Sequence, residues 1–196
     1  MDYDLILGNI TRHTPLNKKE TNLFLSVLEY SEVRKRTCLL KAGRPCNVIY
    51  YVHSGALRAF YIDKNGKEST VMFATADWWI TDMYCFLNRK PAMTCIEATG
   101  DSCVFQLSKD DLDRLFEEAP KFERFFRILM QNAYTREQLR IIDNLSLSAE
   151  EKYDKFLTKY PQIVKQVTQK QIASYLGITP EFLSYIRKNK VLRSIS

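Results

Sequence analysis

Between Thr168 and Lys188 the chain reads TQKQIASYLGITPEFLSYIRK, and few local structures accommodate that order. Thr168 and Gln171 stand at the spacing of a capping box, so a helix opens there. Ile172, Ala173 and Leu176 then fall on one face of it. Gly177 suits a helix end that must turn sharply with positive φ. Thr179 caps a second helix, Pro180 fits its first turn, and Glu181 complements its dipole. Leu183 and Ile186 point back at the first helix, and Ala173 is small where the two cross. The stretch predicts two short helices held together by Ile172, Leu176, Ile178, Leu183 and Ile186.

The residues left outside are chemically distinct. Thr179, Pro180, Glu181, Ser184, Tyr185 and Lys188 face outward from the second helix, with Arg187 beside them. Thr168, Gln169 and Lys170 open the first. This is the pattern of a helix-turn-helix whose second helix enters the major groove of double-stranded DNA. The plain alternative is a helical hairpin that packs and does nothing else. Charge favours the first reading. Residues 1–120 hold 15 Lys/Arg against 16 Asp/Glu, whereas residues 121–196 hold 14 against 7. The positive excess sits on the half with the motif, as phosphate binding requires; a solvated basic face gives the same bias.

Other chemistries are poorly supplied. The five cysteines, Cys38, Cys46, Cys85, Cys95 and Cys103, form no C-x-x-C, and the two histidines, His13 and His53, lie far apart. Nothing has zinc or iron–sulfur spacing, so the thiols are expected to be reduced and structural, and no metal is expected. A metal-dependent jelly-roll enzyme needs two or three converging histidines, and only His53 lies among the strands. There is no nucleophile elbow or P-loop. The chain is not expected to be an enzyme. No apolar run is long enough to span a membrane and the N-terminus has no signal-peptide shape, so a cytoplasmic protein is expected.

Read in order, residues 15–30 suggest a helix with Leu16, Leu23, Val27 and Leu28 on one side. The period then changes to that of short strands at 37–41, 48–53, 56–62, 68–74, 93–99 and 103–107, with turns at Gly43, Gly55, Gly66 and Gly100. Short strands with regular turns and no helix between them predict an antiparallel barrel or jelly roll. Ser108 caps a short helix, with Asp111 three residues on. Pro120 opens a much longer helix, in which Phe122, Phe126, Leu129 and Ala133 follow steps of four, three and four, and Leu139, Ile142 and Leu145 resume the stripe. Roughly 25 residues at 1.5 Å each reach almost 40 Å, more than one small domain needs. The stripe predicts a dimerisation helix; packing on its own barrel is the alternative. Ser148 and Glu151 form another capping box. Three units are expected: 1–118 the jelly roll, 119–146 the long helix, and 147–196 the helix-turn-helix.

This order of parts, with Leu40-Lys-Ala-Gly43, Tyr51-Val-His-Ser-Gly55-Ala-Leu-Arg58 and the helix-turn-helix, resembles the Crp/Fnr family of bacterial transcription regulators. Ser148 to Tyr153 and Leu183 to Lys188 look like its Bacteroidetes branch. The resemblance implies an α+β chain with a cyclic-nucleotide-binding-like jelly roll, a dimerisation helix and a DNA-binding domain. It further implies a homodimer on a near-palindromic site, and RNA polymerase as a partner. Members that bind cyclic nucleotides grip the phosphate with backbone N–H groups and an arginine, and the ribose with the glutamate of a Phe-Gly-Glu segment. The corresponding stretches here are Trp78-Trp79-Ile80-Thr81-Asp82-Met83 and Pro91-Ala92-Met93-Thr94. Glycine and arginine are both missing, and an unpaired buried phosphate is expensive. The cyclic-nucleotide site is therefore expected to be degenerate, with no cofactor. Trp78, Trp79, Thr81, Asp82, Met93 and Thr94 are the candidate pocket residues for another effector, with Tyr84 and Phe86 nearby. Asp82 is read either as a polar ligand contact or as a helix cap. The Fnr-type N-terminal cysteine cluster is absent.

At the DNA surface, Pro180 and Tyr185 stand where the family often carries arginine, while Glu181 resembles the glutamate that accepts from cytosine N4. Only residues 189–196 follow, too short for a hairpin wing. The reading from another class is a jelly-roll scaffold that senses a ligand or binds a protein without touching DNA.

Overall fold

The computed structural model of the chain describes residues 2–195, with side chains described through Lys190. Two helices, α1 (Asp4–Thr11) and α2 (Lys18–Ser26), precede the strands. The strands are β1 (Glu29–Val33), β2 (Cys38–Leu40), β3 (Val48–Ser54), β4 (Ala56–Ile62), β5 (Glu68–Thr75), β6 (Trp78–Ile80), β7 (Cys95–Ala98) and β8 (Ser102–Ser108). A short helix, α3 (Met83–Leu87), separates β6 from β7. The strands form two antiparallel four-stranded sheets, in the orders β1-β8-β3-β6 and β2-β7-β4-β5. Apart from the β4–β5 hairpin, successive strands alternate between the sheets, and this is the expected jelly roll.

Its turns explain its glycines. Gly55 joins β3 to β4 at φ +81°, and a Cβ there would lie 2.6 Å from the Asp101 carbonyl oxygen, so no other residue fits. The β4–β5 hairpin turns at Asp63, whose carboxylate accepts the backbone N–H of Asn65 and Lys67 at 2.8 and 2.9 Å.

Behind the sheets come α4 (Lys109–Glu118), α5 (Lys121–Ser146), α6 (Ala149–Lys159), a 3-10 turn (Ile163–Lys165), α7 (Gln169–Leu176) and α8 (Pro180–Ile195). Two cores result. The larger fills the roll with Tyr51, Phe105, Leu57 and Ile96 and extends onto α2 and α5, where Phe24 stacks on Phe122 at 5.3 Å. The smaller gathers Phe156, Tyr160, Ile172, Leu176, Leu183 and Ile186 from the C-terminal helices. Two strand residues complete it: Phe73 of β5 is fully buried, 6.0 Å from Phe156 and 5.4 Å from Tyr175, ring to ring, and half-buried Trp78 of β6 lies 5.9 Å from Tyr160.

Three expectations change. The helix expected at 15–30 is confined to Lys18–Ser26, because Asn17 caps it in a box with Glu20 and the chain is already in β1 at Glu29. Strands β1 and β6 and helices α1 and α3 were not expected. The apolar seam on α5 does not run as expected. Phe122 and Phe126, with Phe125, are buried against the chain's own roll, where Phe126 meets Trp79 at 5.7 Å. An apolar step of three and four marks whichever face is covered, not what covers it.

Candidate nucleic-acid interface and effector cavity

The helix-turn-helix is built as its sequence dictates. Thr168 Oγ1 accepts the Gln171 N–H at 3.2 Å, and Gln171 Oε1 accepts the Thr168 N–H at 2.9 Å. Helix α7 ends at Gly177 with φ +70°, and the Ile178 N–H donates to the Ala173 carbonyl at 3.0 Å. Thr179 Oγ1 accepts the Phe182 N–H at 3.2 Å and starts α8. Ile172, Ala173, Leu176, Leu183 and Ile186 are all buried.

The candidate DNA residues come together on one open surface. Thr168, Gln169, Lys170, Thr179, Glu181, Ser184, Tyr185, Arg187 and Lys188 are exposed, and Pro180 is half-buried. Ser184 Oγ donates to Gln169 Oε1 at 3.3 Å, tying the second helix to the start of the first. One residue on this surface was not anticipated. Phe182 is 46% exposed and its ring stacks on Tyr185 at 6.2 Å and 12°. Its exposure follows from its position, a quarter turn from Leu183, a signal the sequence does contain.

The opposite side of α7 is fastened to the roll. Ser174 Oγ accepts the Thr70 N–H at 2.8 Å and donates to the Glu68 carbonyl at 2.9 Å. Gln171 Nε2 donates to Glu97 Oε1 at 3.3 Å. Glu68 and Glu97 both pair with the buried guanidinium of Arg58, at 2.6 and 2.7 Å. The first helix of the motif is thus held by the strands, while the outward face of the second stays open.

The candidate effector residues divide. Trp78, Trp79, Thr81, Asp82 and Thr94 line one cavity of about 470 Å³ between the roll, α1 and α5. Met93 does not; it is 51% exposed. Of Ala92 and Met93, which stand where the resemblance expects an arginine, Ala92 is buried. Tyr84 is exposed and Phe86 is buried in the core. Trp79 is anchored by its Nε1–H, which donates to Asn9 Oδ1 at 3.1 Å. Trp78 lies under the Arg136 guanidinium, 4.7 Å from the ring centroid.

Asp82 is the centre of this region. Its Oδ2 accepts the backbone N–H groups of Met93 and Thr94, both at 2.9 Å, and the Thr94 hydroxyl at 3.1 Å. Its Oδ1 accepts the Cys85 N–H at 3.4 Å and caps α3. Burial pushes this carboxyl up, but the Met93 and Thr94 N–H groups outweigh it, and its pKa lies below the usual aspartate value. The N–H groups of the 91–94 loop, which the resemblance offers to a phosphate, are already spent on a carboxylate of the chain itself.

On α5, Leu129 and Ala133 are half-buried on the side of the roll, whereas Tyr134, Ile141, Ile142 and Leu145 are 56–84% exposed. At 100° per residue, Tyr134, Ile141 and Leu145 share one face, and Phe122 and Leu129 lie roughly 100–160° round from it. Leu139 also lies far round from that face, in the other direction, on the wall of a cleft with α6 and α7. Among the described residues, no helix is long and apolar enough to cross a membrane, and no three His, Cys, Asp or Glu side chains gather as a metal site.

Comparison with known proteins agrees with this architecture. The cyclic nucleotide-binding domain family matches residues 30–119. The Anaerobic regulatory protein of Pasteurella multocida is 25% identical over 181 residues, covering 86% of this chain and 66% of that relative. The Electron transport regulator A of Shewanella oneidensis is 22% identical over 196 residues, covering 93% and 77%. Among solved structures, the c-di-GMP-responsive global regulator CLP of Xanthomonas campestris superposes with a TM-score of 0.74 at 14% identity, over 91% of this chain and 93% of that one. FixK2 of Bradyrhizobium japonicum gives 0.71 at 18% identity, over 86% and 87%. With a cyclic nucleotide-binding domain match across its strands and a common fold over nine-tenths of its length, the chain is similar in sequence and architecture to transcription regulators of the Crp/Fnr family.

Proposed function

We propose that this protein is a homodimeric, sequence-specific DNA-binding transcription regulator, acting in the cytoplasm with RNA polymerase and without an enzymatic step. The observation that carries the reading is the separation of faces on the helix-turn-helix. Four of its five apolar positions are buried and the fifth, Ile178, is half-buried, α7 is fastened to the roll, and the polar face of α8 is open. In this reading Glu181 accepts from a cytosine amino group and Tyr185 meets a thymine methyl or a phosphate. Thr168, Gln169, Lys170, Arg187 and Lys188 hold the phosphate backbone and set register. Thr179, Pro180 and Ser184 lie between them and shape the contact. Two copies are joined through the exposed apolar face of α5, and residues 1–118, 119–146 and 147–196 act as effector, dimer and DNA units.

The roll does not bind cyclic AMP or cyclic GMP in this reading. Support comes from Asp82, which fills with its own charge the N–H groups an anionic phosphate needs, and from Ala92 where a cation is required. Entry of a phosphate would place two anions side by side. The cavity beside Trp78 and Trp79 remains the place for another effector.

The test compares Glu181→Ala and Lys188→Ala on selected and scrambled DNA across a salt series. Glu181→Ala changes site preference, whereas Lys188→Ala weakens all sequences and reduces the salt slope by about one. Equal losses on both DNAs from both variants contradict the assignment of base reading to Glu181. No retention of any double-stranded DNA favours the scaffold reading.

A further inference from the structure

The basic excess of the C-terminal half is not all on the DNA-facing surface. Five of its cations, Arg136 and Arg140 of α5 and Lys152, Lys155 and Lys159 of α6, line a cleft of about 270 Å³ closed by the C-terminal end of α7. That end, Tyr175 and Leu176, is remote from Thr168–Lys170, where α7 faces DNA; seven residues at 1.5 Å each separate them by about 10 Å. These cations therefore need another explanation than DNA phosphates.

Their partners in the chain account for only some of them: Arg140 donates to the carbonyls of Thr70 and Val71. Among the described residues Asp143 is the one carboxylate in the cleft wall, and it is taken by Lys155 at 2.6 Å. Lys152 reaches a carbonyl, that of Asn144, at 2.9 Å. Glu137, outside the wall, lies 3.4 Å from Arg140 and 4.0 Å from Arg136. Lys159 has no ion pair among the described residues and lies over the Tyr160 ring at 5.3 Å. Burial and the charges of Arg136 and Arg140 push its ammonium pKa down. The remaining walls are flat and apolar: Phe156, Tyr160 and Tyr175, with Arg140 stacked over Tyr175 at 4.6 Å. A concave apolar surface with a few converging charges of one sign is the form of a small-molecule site, and this volume is at the small end of such sites.

We infer that this cleft binds a small organic anion with a planar aromatic body, its charge at Lys159 and Lys152 and its ring against the tyrosines. Such a ligand would touch the dimer helix, α6 and the helix-turn-helix at once. It is thus an effector site separate from the cavity of the roll, although Arg136 borders both. The binding itself does not rest on the DNA-binding reading; only its consequence for DNA does.

The experiment titrates the full chain with the aromatic sulfonate 8-anilinonaphthalene-1-sulfonate, followed by fluorescence, beside its uncharged relative N-phenyl-1-naphthylamine. The expected result is one saturable site per chain, with the uncharged probe at least tenfold weaker. Lys159→Gln weakens the sulfonate at least tenfold, and Leu139→Trp, which fills the cleft from its exposed wall, abolishes it. Met130→Trp, which fills the cavity of the roll instead, leaves it unchanged. Circular dichroism melts establish that each variant is folded. Equal affinity for both probes, or a sulfonate site that survives Leu139→Trp and is lost in Met130→Trp, overturns the inference. A DNA-binding assay with the same probe is a separate arm. Probe binding without DNA binding leaves the cleft standing and fails only the regulatory reading.

Discussion

Asp82 accepts the backbone N–H of Thr94 at 2.9 Å, from a loop twelve residues further along the chain. With Met93 and the Thr94 hydroxyl, this contact closes the 91–94 loop onto the start of α3. The consequence is a β-roll whose anion-binding backbone is satisfied from within.

Replacing Asp82 by Ala leaves those buried donors unpaired. The expected loss is about 2–4 kcal/mol, since hydrogen bonds to a charged group contribute about 1.5–3 kcal/mol and unmet donors add a desolvation cost. Chemical denaturation measures it directly. The same carboxyl gives a pH signature. Its folded pKa lies below the unfolded value, so its contribution is complete above the ordinary aspartate range, near pH 4. The contribution is lost as pH falls through the folded value. Melts between pH 2 and 6 are expected to show this acid loss in the parent chain and a flatter profile in Asp82→Asn. Identical profiles would deny Asp82 that role.

Neither cyclic AMP nor cyclic GMP is expected to bind in the micromolar range. Isothermal titration is the check, and a saturable heat from either nucleotide would show that the Asp82 carboxylate can be displaced.

Phe73 belongs by sequence to β5 and by packing to the C-terminal core. Phe73→Ala should cost about 3–5 kcal/mol, the range for a fully buried phenylalanine. Because the lost ring is the bridge between two cores, calorimetry should show the single unfolding transition splitting into two. One transition with unchanged melting temperature would mean the helices are held by Trp78 and the polar contacts of Ser174 and Gln171.

The pairing face of α5 is assigned here to Tyr134, Ile141 and Leu145. Ile141→Glu is expected to convert dimer to monomer in sedimentation and to lower DNA affinity at least tenfold, with little change in the melt of the roll. A dimer that persists would place the contact elsewhere.

The sequence reported the helix-turn-helix almost residue for residue, because caps, turn glycine and apolar spacing are local signals. Its strand series was also readable, from alternation and turn residues. What it hid depends on contacts far apart in the chain. The stripe Phe122–Phe126–Leu129–Ala133 has the same period whether a partner or the chain's own roll covers it. β6 has three residues, too few to show a period, and β1 carries Glu29 and Glu32 on an edge strand half open to solvent. α1 has no capping side chain at Tyr3; its first N–H is accepted by Asp2 Oδ1 at 2.8 Å, one residue outside the usual capping position. For the effector region, the sequence offered Asp82 two roles; the cap is made through the Cys85 N–H, and the hold on the 91–94 loop, twelve residues away, was not legible in it. The basic excess pointed to DNA as a whole, whereas five of those cations line a cleft between α5, α6 and α7.

The central claim is that the open face of α8 reads double-stranded DNA, two copies at a time. Selection of fragments from random DNA by the purified full chain tests it most directly. The account predicts a recovered near-palindrome with half-sites about one helical turn apart, some 34 Å centre to centre, bound by two chains and weakened steeply by salt. A chain that retains no double-stranded DNA at low ionic strength would contradict it.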